Sequence, residues 1–231
     1  DNLTLENLAS HMDVIGFSHG AITWADRVIK ANPNKSIVSS ECCSCEMQRG
    51  ESFIKPGVSY VAGKHQASCL NNCLNRTYNA WRDHPSNPGG IVAGSLGVWT
   101  LFDYAGEPGS WPLVVSSFGQ FDVAGFAKSA SYFYRAQWLA GVPVVDPGRP
   151  NLPSEDVVRV AQTWTQPPFK NATYDSLEVY SNLPFVELLL NGKSLGTMAC
   201  PEFRFSTFSN VVYKPGNLTA VGRKMRGGDV L

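Results

Sequence analysis

The feature that most constrains this fold is a change of hydrophobic period partway along the chain. The first part carries short, unbroken apolar runs, each closed by polar residues or glycine: "MDVIGFSHG", "SIVSSE" and "GIVAGSLGVWTLFDY". Such runs suit strands buried on both faces, as in a parallel sheet. Between the first two lies "AITWADRVIKANP", where Ile22, Ala25, Val28 and Ile29 share one helical face and Asn32-Pro33 is a stop. "KSASYFYRAQWLAG" reads as an amphipathic helix after the third run. The intervening residues 46–90 are irregular, with "CLNNCLNRTYNAWRDH" as a short helix. Strand, helix, strand, long loop, strand, helix is the order of βα units around a parallel sheet.

After about residue 140 the period becomes two. "DSLEVYSNLPFVELLLNGKSLGTM" alternates apolar and polar residues around Asn191-Gly192, a hairpin signal, and "FRFSTFSNVVYKPGNLTAVG" continues in short strands. The expectation is a small antiparallel β-sandwich, Ig-like in character. The proline-rich "VPVVDPGRPNLPSED" reads as a linker. The fold class is thus α/β plus all-β: an α/β domain over 1–140, a linker over 141–158 and a β-sandwich over 159–231.

The charges balance, with 19 Lys and Arg against 19 Asp and Glu. A neutral chain offers no electrostatic footprint for nucleic acid or an anionic membrane, and no apolar run reaches the roughly 20 residues of a membrane span. The opening "DNLTLENLASHMD" has neither part of a signal peptide. Five Asn-x-Ser/Thr sequons, at Asn2, Asn34, Asn75, Asn171 and Asn217, lean towards a glycosylated protein of the secretory pathway or outside the cell. Cys42, Cys43, Cys45, Cys69 and Cys73 cluster, and Cys200 stands apart. Disulfides and buried thiols are both open readings of the cluster, its pairing cannot be read, and its spacing fits zinc poorly. No metal or cofactor is expected.

Chemistry-bearing side chains gather where the apolar runs end. The first run offers Ser18 and His19, the second Ser40 and Glu41, and the third Trp99, Asp103 and Glu107. Parallel barrels carry function at the C-terminal ends of their strands. An indole offers a flat apolar face to a sugar ring, and a carboxylate can attack or stabilise an oxocarbenium-like centre. A carbohydrate is therefore the expected ligand. The plainer readings are a solvated Glu41, a core Trp99, a His19 without a special role, and an Asp103 and Glu107 that only hydrogen-bond loops.

The run "GVWTLFDYAGEPGSWP…SSFGQFDVAGFAKSASYFYRAQW" resembles glycoside hydrolase family 2, the β-galactosidase and β-glucuronidase family, at its eighth barrel strand and following helix. "MDVIGFSHG" is similar to its sixth strand and "NPNKSIVSSE" to its seventh; "VYSNLPFVELLLNGKSLG" is similar to the Ig-like domain after the barrel. The resemblance implies that 1–140 is the C-terminal part of a TIM barrel, about three βα units, and that the following Ig-like domain stops short of its last strand. It implies Glu41 as the nucleophile of a retaining exo-β-glycosidase, Trp99 beneath the reacting sugar, and His19 where the family usually has a Tyr that orients the nucleophile. Asp103 and Glu107 fall in a recurring stretch of the family motif. The chain departs from the pattern in two ways. It holds no Asn-Glu pair to supply the general acid/base, and "ECCSCEMQRG" replaces the usual segment after the nucleophile. The implied function is a fragment or processed chain of a β-galactosidase-like enzyme, inactive alone and completed by the missing barrel half. The alternative is a non-catalytic scaffold that binds glycan or protein.

Overall fold

The structure, a computed structural model, describes residues 4–18, 22–45, 96–108, 114–139, 156–165, 173–174, 176–201 and 205–225. Strands predominate over helices. The chain divides into two compact units, Asp1–Cys45 with Ser68–Leu101 and Glu46–Ala67 with Phe102–Leu231.

The first unit opens with α1 (Leu5–Ser10), capped by Thr4, whose Oγ1 accepts the Asn7 N–H at 3.2 Å. Strand β1 (Val14–Ser18), helix α2 (Ile22–Ala31) and strand β2 (Ser36–Cys42) follow, and β3 (Leu96–Val98) completes a parallel sheet in the order β1-β2-β3. Helix α2 ends at Asn32, whose amide donates to the Val28 carbonyl at 3.0 Å and to the Glu6 carbonyl at 3.1 Å. One side chain thus stops α2 and ties it to α1. Arg27 and Glu6 add an ion pair at 2.8 Å, and a backbone hydrogen bond, aided by Arg27, holds the Glu6 carboxyl below its usual range. On the helix side of β1, Ile15 is buried with Ala9 and Val28, and Phe17 packs against them. Val14, on the opposite face, is 50% exposed. The apolar run through Tyr104 is strand only at Leu96–Val98 among its described residues. Farther along, Asp103 N–H bonds to the Phe121 carbonyl and Ser116 N–H to the Tyr104 carbonyl, both at 2.9 Å. The backbone there pairs with a later segment of its own unit instead of continuing the ladder.

In the second unit, α3 (Ser129–Trp138) precedes a set of short antiparallel strands. These are β4 (Val158–Val160), β5 (Thr173–Tyr174), β6 (Leu177–Ser181), β7 (Phe185–Leu190), β8 (Lys193–Ala199), β9 (Ser206–Phe208), β10 (Val211–Val212) and β11 (Leu218–Arg223). They form sheets ordered β4-β6-β9 and β11-β7-β8, with β10 paired to β5. One core joins the sheets: Leu177 and Val179 of β6 meet Val186 and Leu188 of β7, with Tyr174, Phe208 and Val211. Asn191 and Gly192, both at positive φ (51° and 77°), turn β7 into β8, as an Asn-Gly hairpin requires. Strand β6 is buried on both faces. Its outer face carries Glu178 and Tyr180; the Tyr180 ring meets Phe133 of α3 edge-on at 5.3 Å, and its hydroxyl donates to Glu178 Oε2 at 3.3 Å. Ser129 Oγ donates to the Ala161 carbonyl at 2.7 Å and fixes the start of α3 beside β4.

Candidate functional site

The central strand of the parallel sheet carries the site. Regular alternation along β2 puts Ser36, Val38 and Ser40 on one face and sends Glu41 to the other, the helix side. The register corrects this. Val14, Ile15, Gly16 and Phe17 of β1 pair in step with Ser36, Ile37, Val38 and Ser39 of β2; then Ser18 pairs with Glu41, skipping Ser40. The ladder to β3 slips over the same stretch, from Ser39↔Leu96 to Cys42↔Val98. Such a bulge re-aims a side chain. Because partners in a ladder share a face, Glu41 falls on the face of Ser18 and Gly16, away from Ile15 and Phe17. Gly16 leaves room there: a Cβ on it would lie 3.3 Å from Ser40 Cβ and Oγ.

The C-terminal edge of this sheet thus brings together Ser18, Glu41 and, directly after Val98, Trp99. Glu41 is half-buried and Trp99 is 38% exposed. A carboxylate on the middle strand beside an indole on the next can present an acceptor or nucleophile next to an apolar platform. His19 lies outside the described residues.

The second unit holds Asp103 and Glu107 in structural bonds. Asp103 Oδ1 accepts the Gly119 N–H at 2.8 Å and forms an ion pair with Lys128 Nζ at 2.7 Å; the two side chains are 10% and 1% exposed. Lys128 Nζ also donates to the Ser117 carbonyl at 2.8 Å. Glu107, exposed and at φ 43°, accepts the Tyr104 hydroxyl at 2.5 Å. The buried Ser116 hydroxyl lies 2.6 Å from the Gly106 carbonyl and 2.7 Å from the Glu107 carbonyl, tying down this turn. Lys128 is the polar anchor that sequence reasoning missed. Its one available signal was a lysine at the head of a helix.

Cys43 and Cys45 are both disulfide-bonded and buried, and Cys200 is a buried free thiol whose pKa burial pushes up. Cys69, Cys73 and the Cys42 side chain lie outside the described residues, as do Asn2, Asn75 and Asn171. Asn34 sits exposed in a turn and Asn217 exposed just before β11. Among the described residues no group of His, Cys, Asp and Glu could hold a metal ion, and no helix is long and apolar enough to cross a membrane.

In comparison with known proteins, this chain is similar to β-glycosidases. A domain of unknown function, DUF4982, matches residues 173–230. The chain is 34% identical over 137 residues to a Formosa agariphila protein assigned as a beta-glucuronidase, covering 54% of this chain and 11% of that protein. It is 27% identical over 228 residues to beta-galactosidase BoGH2A of Bacteroides ovatus, covering 92% of this chain and 25% of that protein. In fold it is similar to the crystal structure of Bacteroides uniformis beta-glucuronidase, with a TM-score of 0.63 at 19% identity, over 97% of this chain and 26% of that one. The chain therefore spans a quarter or less of the curated relatives it matches. More particularly, its resemblance is to glycoside hydrolase family 2, and it extends over most of the chain.

Proposed function

We propose that this chain is the C-terminal part of the catalytic barrel of a retaining exo-β-glycosidase, followed by an Ig-like domain, with Glu41 as the nucleophile. The observation that carries the reading is the register slip in β2, which supports a Glu41 aimed from the C-terminal edge of a parallel sheet beside Trp99. In this reading Glu41 attacks the anomeric carbon, the glycosidic C–O bond breaks, and a glycosyl ester forms; water then cleaves that ester with net retention. Trp99 stacks on the sugar that reacts. His19 orients Glu41, as its place in the family motif implies. Asp103 and Glu107 hold turns of the second unit. The general acid/base comes from an earlier barrel strand of the complete protein, so these residues alone do not turn over. Protonation of the leaving oxygen contributes typically ~10²–10⁴-fold. The substrate is a β-galactoside or β-glucuronide, in keeping with the relatives. Disulfides at Cys43 and Cys45 and exposed sequons at Asn34 and Asn217 support an oxidising, secretory location.

The test is Glu41→Gln in the complete enzyme, assayed on aryl β-glycosides. Activity is expected to fall by several orders of magnitude with the fold intact. Retention of near-normal rates would remove Glu41 from the reaction.

A further inference from the structure

We propose that Cys43 and Cys45 are positioning residues for Glu41: their disulfides lock the chain immediately beyond β2 and so hold the bulge that aims the carboxylate. The inference rests on Glu41 being the nucleophile, and it assigns a role to a segment that departs from the family resemblance.

Four observations carry it. First, the bulge at Ser40 and Glu41 has only a short ladder beyond it: β2 ends at Cys42, and the pairs after the slip are Ser18↔Glu41 with β1 and Cys42↔Val98 with β3. A slipped register with one pair after it on each side is thinly held by the ladder alone. Second, Cys43 follows at once at φ 58°, in the left-handed region. A residue with a Cβ persists there when its surroundings over-determine it. Third, Cys43 and Cys45 are 5% and 2% exposed, and both are disulfide-bonded. Fourth, the segment pinned in this way leaves the strand two residues after the carboxylate. Any drift of Cys43 is transmitted to Glu41 through Cys42 alone. A carboxylate that must reach an anomeric carbon works only within a fraction of an ångström of its productive position, and that tolerance is met by a locked supporting shell. Disulfide-bonded residues two and four positions beyond Glu41 supply such a shell without adding a charge to the carboxylate itself.

The experiment compares Cys43→Ser, Cys45→Ser and the double variant with wild type in the complete enzyme, alongside Glu41→Gln and Cys200→Ser. Circular dichroism and gel filtration report the fold. Steady-state kinetics on an aryl β-glycoside and the rate of covalent labelling by a fluoro-glycoside report the position of the carboxylate. A loss of kcat of about 10- to 100-fold is expected in the double variant, the scale on which misplacement by about 1 Å acts. KM should stay within about threefold, because the sugar platform is untouched. Labelling should slow in parallel, and Cys200→Ser should behave as wild type. A folded double variant with kcat within twofold of wild type overturns the proposal. Failure of both single variants to fold overturns it too, because the cross-links would then hold the domain and not the carboxylate. An active Glu41→Gln enzyme would instead overturn the nucleophile assignment beneath it.

Discussion

Asp103→Asn should destabilise the protein by about 3–5 kcal/mol. The carboxylate of Asp103 is paired with Lys128 at 2.7 Å, and the Lys128 side chain is 1% exposed. Asparagine keeps an oxygen that can accept the Gly119 N–H, now at 2.8 Å, so the loop keeps its hydrogen bond. Only the negative charge is lost. Lys128 then keeps its bond to the Ser117 carbonyl at 2.8 Å but loses the charge of Asp103 beside its buried ammonium. Breaking one side of a buried pair costs about 3–5 kcal/mol, whereas removing both sides is often neutral. The double variant Asp103→Asn/Lys128→Met should therefore recover most of the loss. Urea denaturation followed by intrinsic fluorescence reads this directly. With a slope of about 1–3 kcal/mol per molar urea, the single variant lowers the midpoint by at least about 1 M. A single variant within 1 kcal/mol of wild type, or a double variant no better than the single, would refute the reasoning: Lys128 would then be solvated or otherwise compensated.

Gly216→Ala should destabilise the β-sandwich unit by about 2–3 kcal/mol, read by thermal melting. The new Cβ would lie 1.8 Å from Asn191 Oδ1 at a φ of 138°, displacing a side chain that accepts the Asn217 N–H at 2.9 Å and donates to the Pro215 carbonyl at 3.1 Å. Stability should also fall steeply at alkaline pH. Burial first, and then Glu178, raises the Tyr180 phenol well above its ordinary value of 10.0. The unfolded chain releases that proton near pH 10 while the folded chain keeps it, so this contribution is complete below about pH 10 and is lost as pH rises towards the folded value. Tyr180→Phe should flatten the decline by up to about 1.4 kcal/mol per pH unit, measured by urea midpoints across the alkaline range.

Much of the fold was legible because its signals are local. The Asn191-Gly192 hairpin follows from backbone conformation at two residues, and the stop of α2 at Asn32-Pro33 from a capping amide and a proline. The parts that were not legible depend on partners far away in the chain. Alternation along "SIVSSE" does not show the slip at Ser40 and Glu41, because a bulge is set by how β2 meets β1 and β3. "LEVYS" reads as a strand with one wet face; the wet face is covered because Phe133, some 45 residues earlier, closes over Tyr180. From the sequence Asp103 is open to a sugar contact or to loop hydrogen bonds; its carboxylate is bonded to Lys128, 25 residues on, a pairing that no spacing rule encodes. In each case the local pattern fixes the element, and a long-range contact decides what the side chain does.

The central claim is that Glu41 attacks the anomeric carbon. A mechanism-based 2-fluoro-glycoside traps the glycosyl ester on whichever carboxylate makes that attack, and peptide mapping of the labelled, complete enzyme identifies the residue. The account predicts one label per active site, on the peptide that contains Glu41, and none in Glu41→Gln. A label on Asp103, Glu107 or any other carboxylate, with Glu41 unmodified, would contradict it.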